Sequence, residues 1–381
     1  MRRRLKPAAT LAGVASKWPS RIQISGPVAG SEKSMNQTST APQAAPEYNV
    51  TGVDYSDRTH LPYAGPLIDV HAHVFQTRPS DPKDGPPTFK GPDASLLQAE
   101  IMLDVGEEFG IVRTYSMGPP DDIPLLRERF GDRIAFSGSI TKKLDEPDDV
   151  AYRLLERFLE LGVVMLKFWS APRGRERGLF VDAPWRIEAA RRARAAGVRI
   201  IMVHVADPDV WFRKTYADVA KYGTKADQYV GLERMLQEFP DLYWIGAHMG
   251  GDSEHPDHLE ALLERYPHLY LDTSATKWQV REVSAHREGI RSLVCRHPRR
   301  FLFGTDLVTR HGLVRDHYAS RYWCQRTLWE STWEGRSPIA DADYSAAPGE
   351  PPSPPLLGLN LPLDVLERVY FANASELLNG C

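Results

Sequence analysis

From residue 67 onward, short β-branched or aromatic runs alternate with longer stretches of helical periodicity, and this rhythm limits the fold more than any single residue does. The runs that read as strands are Leu67–Val70, Ile111–Ser116, Ile134–Ile140, Val163–Phe168, Val198–Val203, Tyr243–Ala247, Leu269–Asp272 and Phe301–Gly304. Helical stretches separate them: Ser95–Phe109, Asp148–Leu161, Pro184–Ala196, Gln228–Phe239, Leu259–Tyr266, Ser284–Arg296 and, at the end, Leu363–Leu378. Gly162 and Gly197 stand where helices stop, and Pro184 stands in a first turn. Strands that alternate with helices in this number predict an α/β chain folded as a single (β/α)8 TIM barrel. The rival, an open doubly wound sheet, lacks its glycine-rich phosphate turn after the first strand.

In such a barrel the strand tips converge on one mouth, so the residues at the tips are read together. The first strand opens into His71-Ala72-His73, and residues two apart on an extended segment face the same side. A lone His-x-His is more often chance than a metal site. Here the fourth strand carries Lys167 in an apolar run, the fifth ends in His204, the sixth in His248 and the eighth in Asp306. Each alone has a plain structural reading: a hydrogen-bonded loop histidine, a snorkelling lysine, a helix-capping aspartate. At one mouth they point to a metal site.

The motifs IDVHAH (68–73), MVHVADP (202–208), WIGAHMGG (244–251), LYLDTSA (269–275) and FLFGTDLV (301–308) resemble the amidohydrolase superfamily, in its amidohydrolase-related branch. The closing LPLDVLERVYFANASELL (361–378) is similar to that branch's C-terminal helix, so the resemblance spans about 66–378. It implies that His71, His73, His204 and Asp306 hold a divalent metal, most often zinc, with His248 beside it as a catalytic or second-metal residue. In two-metal members a carboxylated fourth-strand lysine bridges the ions, which would give Lys167 that role with His204 and His248. One metal is the reading favoured. The resemblance implies a metal-dependent hydrolase that activates water against an ester, lactone or amide carbon, with Asp306 and His248 as catalytic residues. A metal-dependent decarboxylase of an aryl or enol carboxylate is the alternative on the same residues, and a non-catalytic metal-binding barrel is a third reading.

Substrate selection is expected in the loops. Arg213, Lys277 and Arg321 can grip a carboxylate, and Trp211 and Trp278 can stack on a ring or sugar face. Gly250 and Gly251 either let backbone approach the mouth or make only a tight turn.

Composition narrows the partners. The chain has 381 residues, 42% hydrophobic and 25% charged, with a net charge of −3, so nothing favours nucleic acid or a membrane surface. Three cysteines without paired spacing fit a reducing compartment, and a cytoplasmic enzyme of a small-molecule substrate, with a homodimer left open, is the expectation. Residues 1–62, rich in Ser, Thr, Ala, Pro and Gln, are expected as a flexible arm ahead of a barrel over 63–381. Arg2, Arg3, Arg4 and Lys6 leave an N-terminal targeting segment open, although an initiator at Met35 is the preferred reading. The long stretch 307–362 is either a lid over the mouth or a helical insertion on the barrel wall.

Overall fold

The computed structural model describes residues 47–75, 92–309 and 314–379. Strand β1 (Leu67–His73) leads to helix α1 (Pro92–Glu108), followed by β2 (Ile111–Met117), α2 (Ile123–Phe130), β3 (Ile134–Ser139), α3 (Asp149–Glu160), β4 (Met165–Trp169) and α4 (Pro184–Ala195). The second half runs β5 (Ile200–His204), α5 (Asp209–Lys214), α6 (Val219–Tyr222), α7 (Lys225–Glu238), β6 (Tyr243–Gly246), α8 (Pro256–Arg265) and β7 (Leu269–Asp272). Then come α9 (Thr276–Ala285), α10 (Arg287–Arg296), β8 (Phe301–Leu302), β9 (Leu307–Val308), α11 (Arg315–Glu330), β10 (Glu334–Arg336), β11 (Pro355–Leu357), α12 (Leu363–Glu367) and α13 (Asn373–Asn379). All the expected strands are present, in a parallel sheet of order β8-β7-β6-β5-β4-β3-β2-β1-β9.

The sheet closes where it is interrupted. Residues 301–308 act as one barrel strand in two pieces: β8 pairs with β7, and β9 pairs with Ala72 and His73 of β1. Val70 N donates to Phe303 O at 3.0 Å and Asp306 N to His71 O at 2.7 Å, which joins the gap to β1. The buried Asp69 carboxylate fills that gap: Oδ1 accepts from His71 N (3.0 Å) and Thr305 N (3.1 Å), and Oδ2 from Thr305 Oγ1 (2.6 Å). Backbone donors freed from the ladder thus find a partner without water. Burial, opposed by those hydrogen bonds, pushes the Asp69 carboxyl up to about 7.

Inside the barrel, alternate residues make layers. On β4 and β5, Met165, Lys167 and Trp169 lie opposite Ile200, Met202 and His204 in register, so each strand carries apolar residues below and polar ones at the tip. Leu377 and Leu378 of α13 pack with Ile68, Val70, Met165 and Ile200 in one cluster, plugging the end opposite the mouth. The register between β1 and β2 shifts between Asp69 and Ala72, and such a bulge re-aims the side chains that follow it.

Several expectations change on folding. The stretch 284–296 is not one helix: His286, at φ −116, separates α9 from α10. The closing helix 363–378 is broken by a π-helical turn at Arg368–Ala372, where Val369 O accepts from Phe303 N at 2.9 Å. Helices α2, α5 and α6 had no distinct periodic signal. The stretch 307–362 divides. Its first half is α11, buried along Tyr318, Tyr322, Trp323 and Trp329 and packed between α1 and α9 as a wall helix. Its second half reaches the mouth, where Asp343 Oδ2 accepts from Trp211 Nε1 at 2.9 Å. Residues 47–62, part of the expected loose arm, dock on this insertion: Val50 N bonds Pro338 O at 2.8 Å, Trp323 Nε1 bonds Asp57 O at 3.3 Å, and Tyr55 is buried. Residues 1–46, with the targeting and Met35 readings, lie outside the described residues.

One ion pair ties these layers. Arg326 Nε meets Glu330 Oε1 at 2.6 Å, its Nη1 donates to Phe109 O at 3.0 Å, and Tyr63 N donates to Glu330 Oε2 at 2.9 Å. Glu330 is fully buried. Arg326→Met strands that carboxylate, and equilibrium urea denaturation is expected to show a loss of about 3–5 kcal/mol.

Candidate metal centre

The atoms at the mouth are arranged by Asp272, a fully buried carboxylate at the tip of β7. Its Oδ2 accepts from His71 Nδ1 at 2.8 Å, and its Oδ1 accepts from His248 N at 2.8 Å and from Ser274 N at 3.0 Å. The Ser274 hydroxyl also donates to Oδ1. That leaves the Ser274 oxygen to accept from His248 Nδ1 at 2.7 Å. Both histidines are therefore assigned the Nδ1–H tautomer, with the Nε2 lone pairs directed away from Asp272. Burial would raise Asp272, but the hydrogen bond and charge of His71 with nearby His248 and Lys167 outweigh it and hold the carboxyl well below its usual range.

His71 Nε2, His73 Nε2 and an Asp306 oxygen converge as one potential metal-ligand group. Asp306 Oδ1 lies 2.9 Å from His73 Nε2 and 3.4 Å from His71 Nε2. The donor set fits a divalent cation. Two imidazoles and one carboxylate face a common point, and the carboxylate behind His71 orients its ring as metal-ligating histidines require. Burial pushes His71 down to about 4, reinforced by Lys167, and holds His248 well below the usual imidazole range. Asp306 keeps 29% of its side chain exposed, and it is ionised: burial acts upward, but His248, the His73 hydrogen bond and His71 outweigh it.

Lys167 stands in the centre, its Nζ 3.3 Å from His71 Nε2, and burial lowers it to about 8 against the pull of Asp272 and Asp306. His204 joins the cluster by its ring, edge-on to His248 with centroids 4.6 Å apart. Its Nε2 is committed to Asp207 Oδ1 at 2.7 Å, and Tyr216 OH holds the other Asp207 oxygen at 2.6 Å. Only Nδ1 of His204 remains to act as a ligand. Trp278 faces His248 and His204 at 5.5 and 6.0 Å, and Trp211 lies 5.4 Å from Trp278, so both tryptophans border the mouth. Arg213 is exposed on α5 and makes no ion pair among the described residues. Lys277 stands in the first turn of α9 and Arg321 on α11.

Two site residues sit in left-handed backbone, His248 at φ 60 and Asp306 at φ 53, and Met249, Gly250 and Gly251 continue the positive-φ turn after His248. Each non-glycine residue there costs about 1–2 kcal/mol, which the Asp272 and His71 backbone contacts must hold. A Cβ on Gly251 would lie 2.1 Å from Ala206 O, so this glycine lets two mouth loops touch. Sequence reasoning passed over Asp69, Asp207, Asp272, Ser274 and Arg173, whose guanidinium lies over Trp169 and Trp211 at 5.4 and 5.7 Å. The signal for Asp69 and Asp272 was available: each is the single charge in an otherwise apolar strand run.

Asp272→Asn is expected to weaken divalent-metal binding about 10–100-fold with the fold retained, read by calorimetric titration of the metal-free protein. Acid acts on the same residues. In the unfolded chain His71 and His248 gain protons below about 6.5, while the folded His71 stays neutral to about 4 and burial holds the folded His248 well below its usual range. Their contribution to stability is complete above pH 6.5 and lost as pH falls towards 4, so the urea midpoint of the metal-free protein is expected to drop across that window, less steeply in His248→Asn.

A family model described as amidohydrolase matches residues 68–380. No curated protein matches the chain. Among solved structures, the chain is similar to an uncharacterised TIM-barrel protein from Bordetella bronchiseptica (15% identity, 82% of this chain and 98% of that one, TM-score 0.49). It is similar to a 2,6-dihydroxybenzoate decarboxylase from Rhizobium (16%, 83% and 99%, TM-score 0.48). A third is the 5-carboxyvanillate decarboxylase of Novosphingobium aromaticivorans, complexed with manganese and 4-hydroxy-3-methoxy-5-nitrobenzoic acid (12%, 83% and 96%, TM-score 0.48). Among the described residues, no helix is long and apolar enough to cross a membrane. With a barrel whose mouth gathers four histidines, a lysine and an aspartate, and a family match over most of its length, the chain belongs to the amidohydrolase family.

Proposed function

We propose that this protein is a metal-dependent hydrolase that directs water at an ester, lactone or amide carbon of a small organic substrate. The observation that carries the reading is the state of Asp306: an ionised, partly open carboxylate 2.9 Å from His73 Nε2 and beside His71. His71, His73 and Asp306 would hold one divalent cation, zinc by the chemistry of the donors, with His204 Nδ1 as a further ligand. When bound, that cation supplies Lewis acidity, making water acidic enough to lose a proton near neutral pH and polarising a carbonyl.

The chain's own groups do the rest. Asp306, ionised and open to the mouth, accepts the proton from the attacking water and later delivers it to the leaving group. His248 is neutral, and its Nδ1–H is committed to Ser274; its ring borders the substrate position as a second proton acceptor at Nε2. Asp207 and Tyr216 fix the His204 ring, and Asp272 fixes those of His71 and His248, so none of the three reorients during turnover. A single cation is favoured because a second would need His204 Nε2, which Asp207 occupies, or a carboxylated Lys167.

The test is a panel of lactones, aryl esters, anilides and aryl carboxylates assayed after chelation and after metal restoration. Turnover of a carbonyl substrate is expected to vanish and return with zinc or manganese, and Asp306→Asn to lower kcat by about 10²–10⁴-fold with unchanged circular dichroism. Activity that survives chelation would sink the scheme. Release of CO2 from an aryl carboxylate, with no carbonyl substrate cleaved, would reassign the same residues to decarboxylation.

A further inference from the structure

The segments that carry His204 and His248 are bound together outside the mouth by one lysine. Lys225 is the first residue of α7, a helix whose N-terminus Thr224 and Asp227 already cap in a reciprocal pair. The positive end of a helix dipole does not favour an ammonium there, so its placement answers to another interaction. Its Nζ lies 2.8 Å from Asp209 Oδ1, 2.8 Å from Asp252 Oδ1 and 3.3 Å from Glu254 Oε2. Asp209 stands five residues beyond His204, and Asp252 and Glu254 stand four and six beyond His248. One ammonium from α7 therefore bridges the segment after β5 and the segment after β6.

The bridge is largely buried and is reinforced on every side. Lys225 keeps 14% of its side chain exposed, Asp252 3% and Glu254 8%. Burial would lower Lys225, but the charges of Asp252 and Glu254 outweigh it, so the ammonium keeps its proton. Asp209 N donates to Glu254 Oε1 at 2.7 Å, which ties the two segments directly, and Tyr229 OH of α7 donates to Gly250 O at 2.8 Å. His255 Nε2 lies 3.1 Å from Asp209 Oδ2, and His258 Nδ1 lies 2.6 Å from Asp252 Oδ2. Asp209, Asp252 and His255 are spaced like ligands of a metal ion, but the Lys225 ammonium already supplies the cation between the two carboxylates. At the inner ends of the same segments the His204 and His248 rings meet edge-on, with centroids 4.6 Å apart. Their separation depends on how the two segments lie against each other, and a misplacement of about 1 Å at a reacting group costs about 10²-fold in rate.

We propose that Lys225 is a positioning residue for the mouth: by bridging Asp209 and Asp252 it fixes the two segments that hold His204 and His248 at their working separation. This rests on the mouth being the catalytic centre. Lys225 acts through those segments and touches none of the mouth histidines, so it sets the geometry of the site without entering its chemistry.

Lys225→Ala removes the bridge, and propylammonium matches the part of the side chain lost beyond Cβ. A cavity of about 660 Å3, lined by Lys225, Tyr229, Asp252 and Glu254 among others, gives it a way in. In the metal-loaded enzyme kcat is expected to fall about 10–100-fold with KM held within about twofold, and to recover severalfold with propylammonium but not with tetramethylammonium. Any substrate that turns over serves, carbonyl or aryl carboxylate, so reassigning the reaction leaves this test intact. A second measurement needs no turnover and decides alone if no substrate is found. The NMR ring signals of isotope-labelled His204 and His248 in the metal-free protein, single in wild type, are expected to broaden or double in Lys225→Ala and to sharpen again with propylammonium. Asp209→Asn removes one arm of the bridge and leaves Lys225 with Asp252 and Glu254, which covers the case in which Lys225→Ala does not fold; it is expected to lower kcat about three- to tenfold and to broaden the same ring signals. A lowered melting midpoint in either variant with kcat and both ring signals unchanged reduces Lys225 to a structural anchor and overturns the proposal. A loss of kcat in Lys225→Ala that propylammonium does not restore overturns it too.

Discussion

The barrel closes through a strand that is broken in the middle, and everything at the mouth depends on that break being held. Residues 303–306 leave the sheet between β8 and β9, and Asp306 turns into the left-handed region, so its carboxylate faces His73 while staying partly open to the mouth. Asp69 makes this tolerable. Its buried carboxylate takes the amides of His71 and Thr305 and the Thr305 hydroxyl, replacing the ladder bonds lost in the gap. A regular eighth strand would satisfy the backbone as well but would not aim Asp306 at two histidines. The fold gives up regular pairing at one seam, and the site lies at that seam.

Asp272 plays the corresponding part from the neighbouring strand β7. One carboxylate fixes the tautomer of His71, the backbone of His248 and, through Ser274, the tautomer of His248. Burial keeps both rings neutral against the pull of Asp272 on His71, and the tautomers that Asp272 and Ser274 select turn the Nε2 lone pairs to the mouth, which is the state a cation needs. Lys167, lowered to about 8 by burial in the same pocket, stands 3.3 Å from His71 Nε2, where its ammonium would oppose a cation.

The covering of the mouth is assembled from distant parts of the chain. Asp343 holds Trp211, Pro338 and Ala340 pair with Val50 and Glu47, and Tyr48 lies under Arg321. Residues 47–50 and 338–343 thus form a strap, while α11 beneath it is a wall helix.

Much of this was legible in the chain. The period of short apolar runs determined the eight strands, because burial on both faces demands unbroken hydrophobic runs, and His71, His73, His204, His248 and Asp306 stood at their tips because only tips reach a barrel mouth. The charged residue in an apolar run marked Lys167, and the same signal marks Asp69 and Asp272. What the chain could not reveal is what depends on pairs distant in sequence. That Asp272 orients His71, that His204 gives its Nε2 to Asp207, that Arg213 faces solvent, and that Gln325 of α11 bonds Thr273 O and Thr276 Oγ1 after β7 are consequences of which strands and helices become neighbours. A residue type carries its own chemistry, but its protonation, tautomer and partner are set by the dielectric and the atoms around it, and those exist only once the barrel has closed.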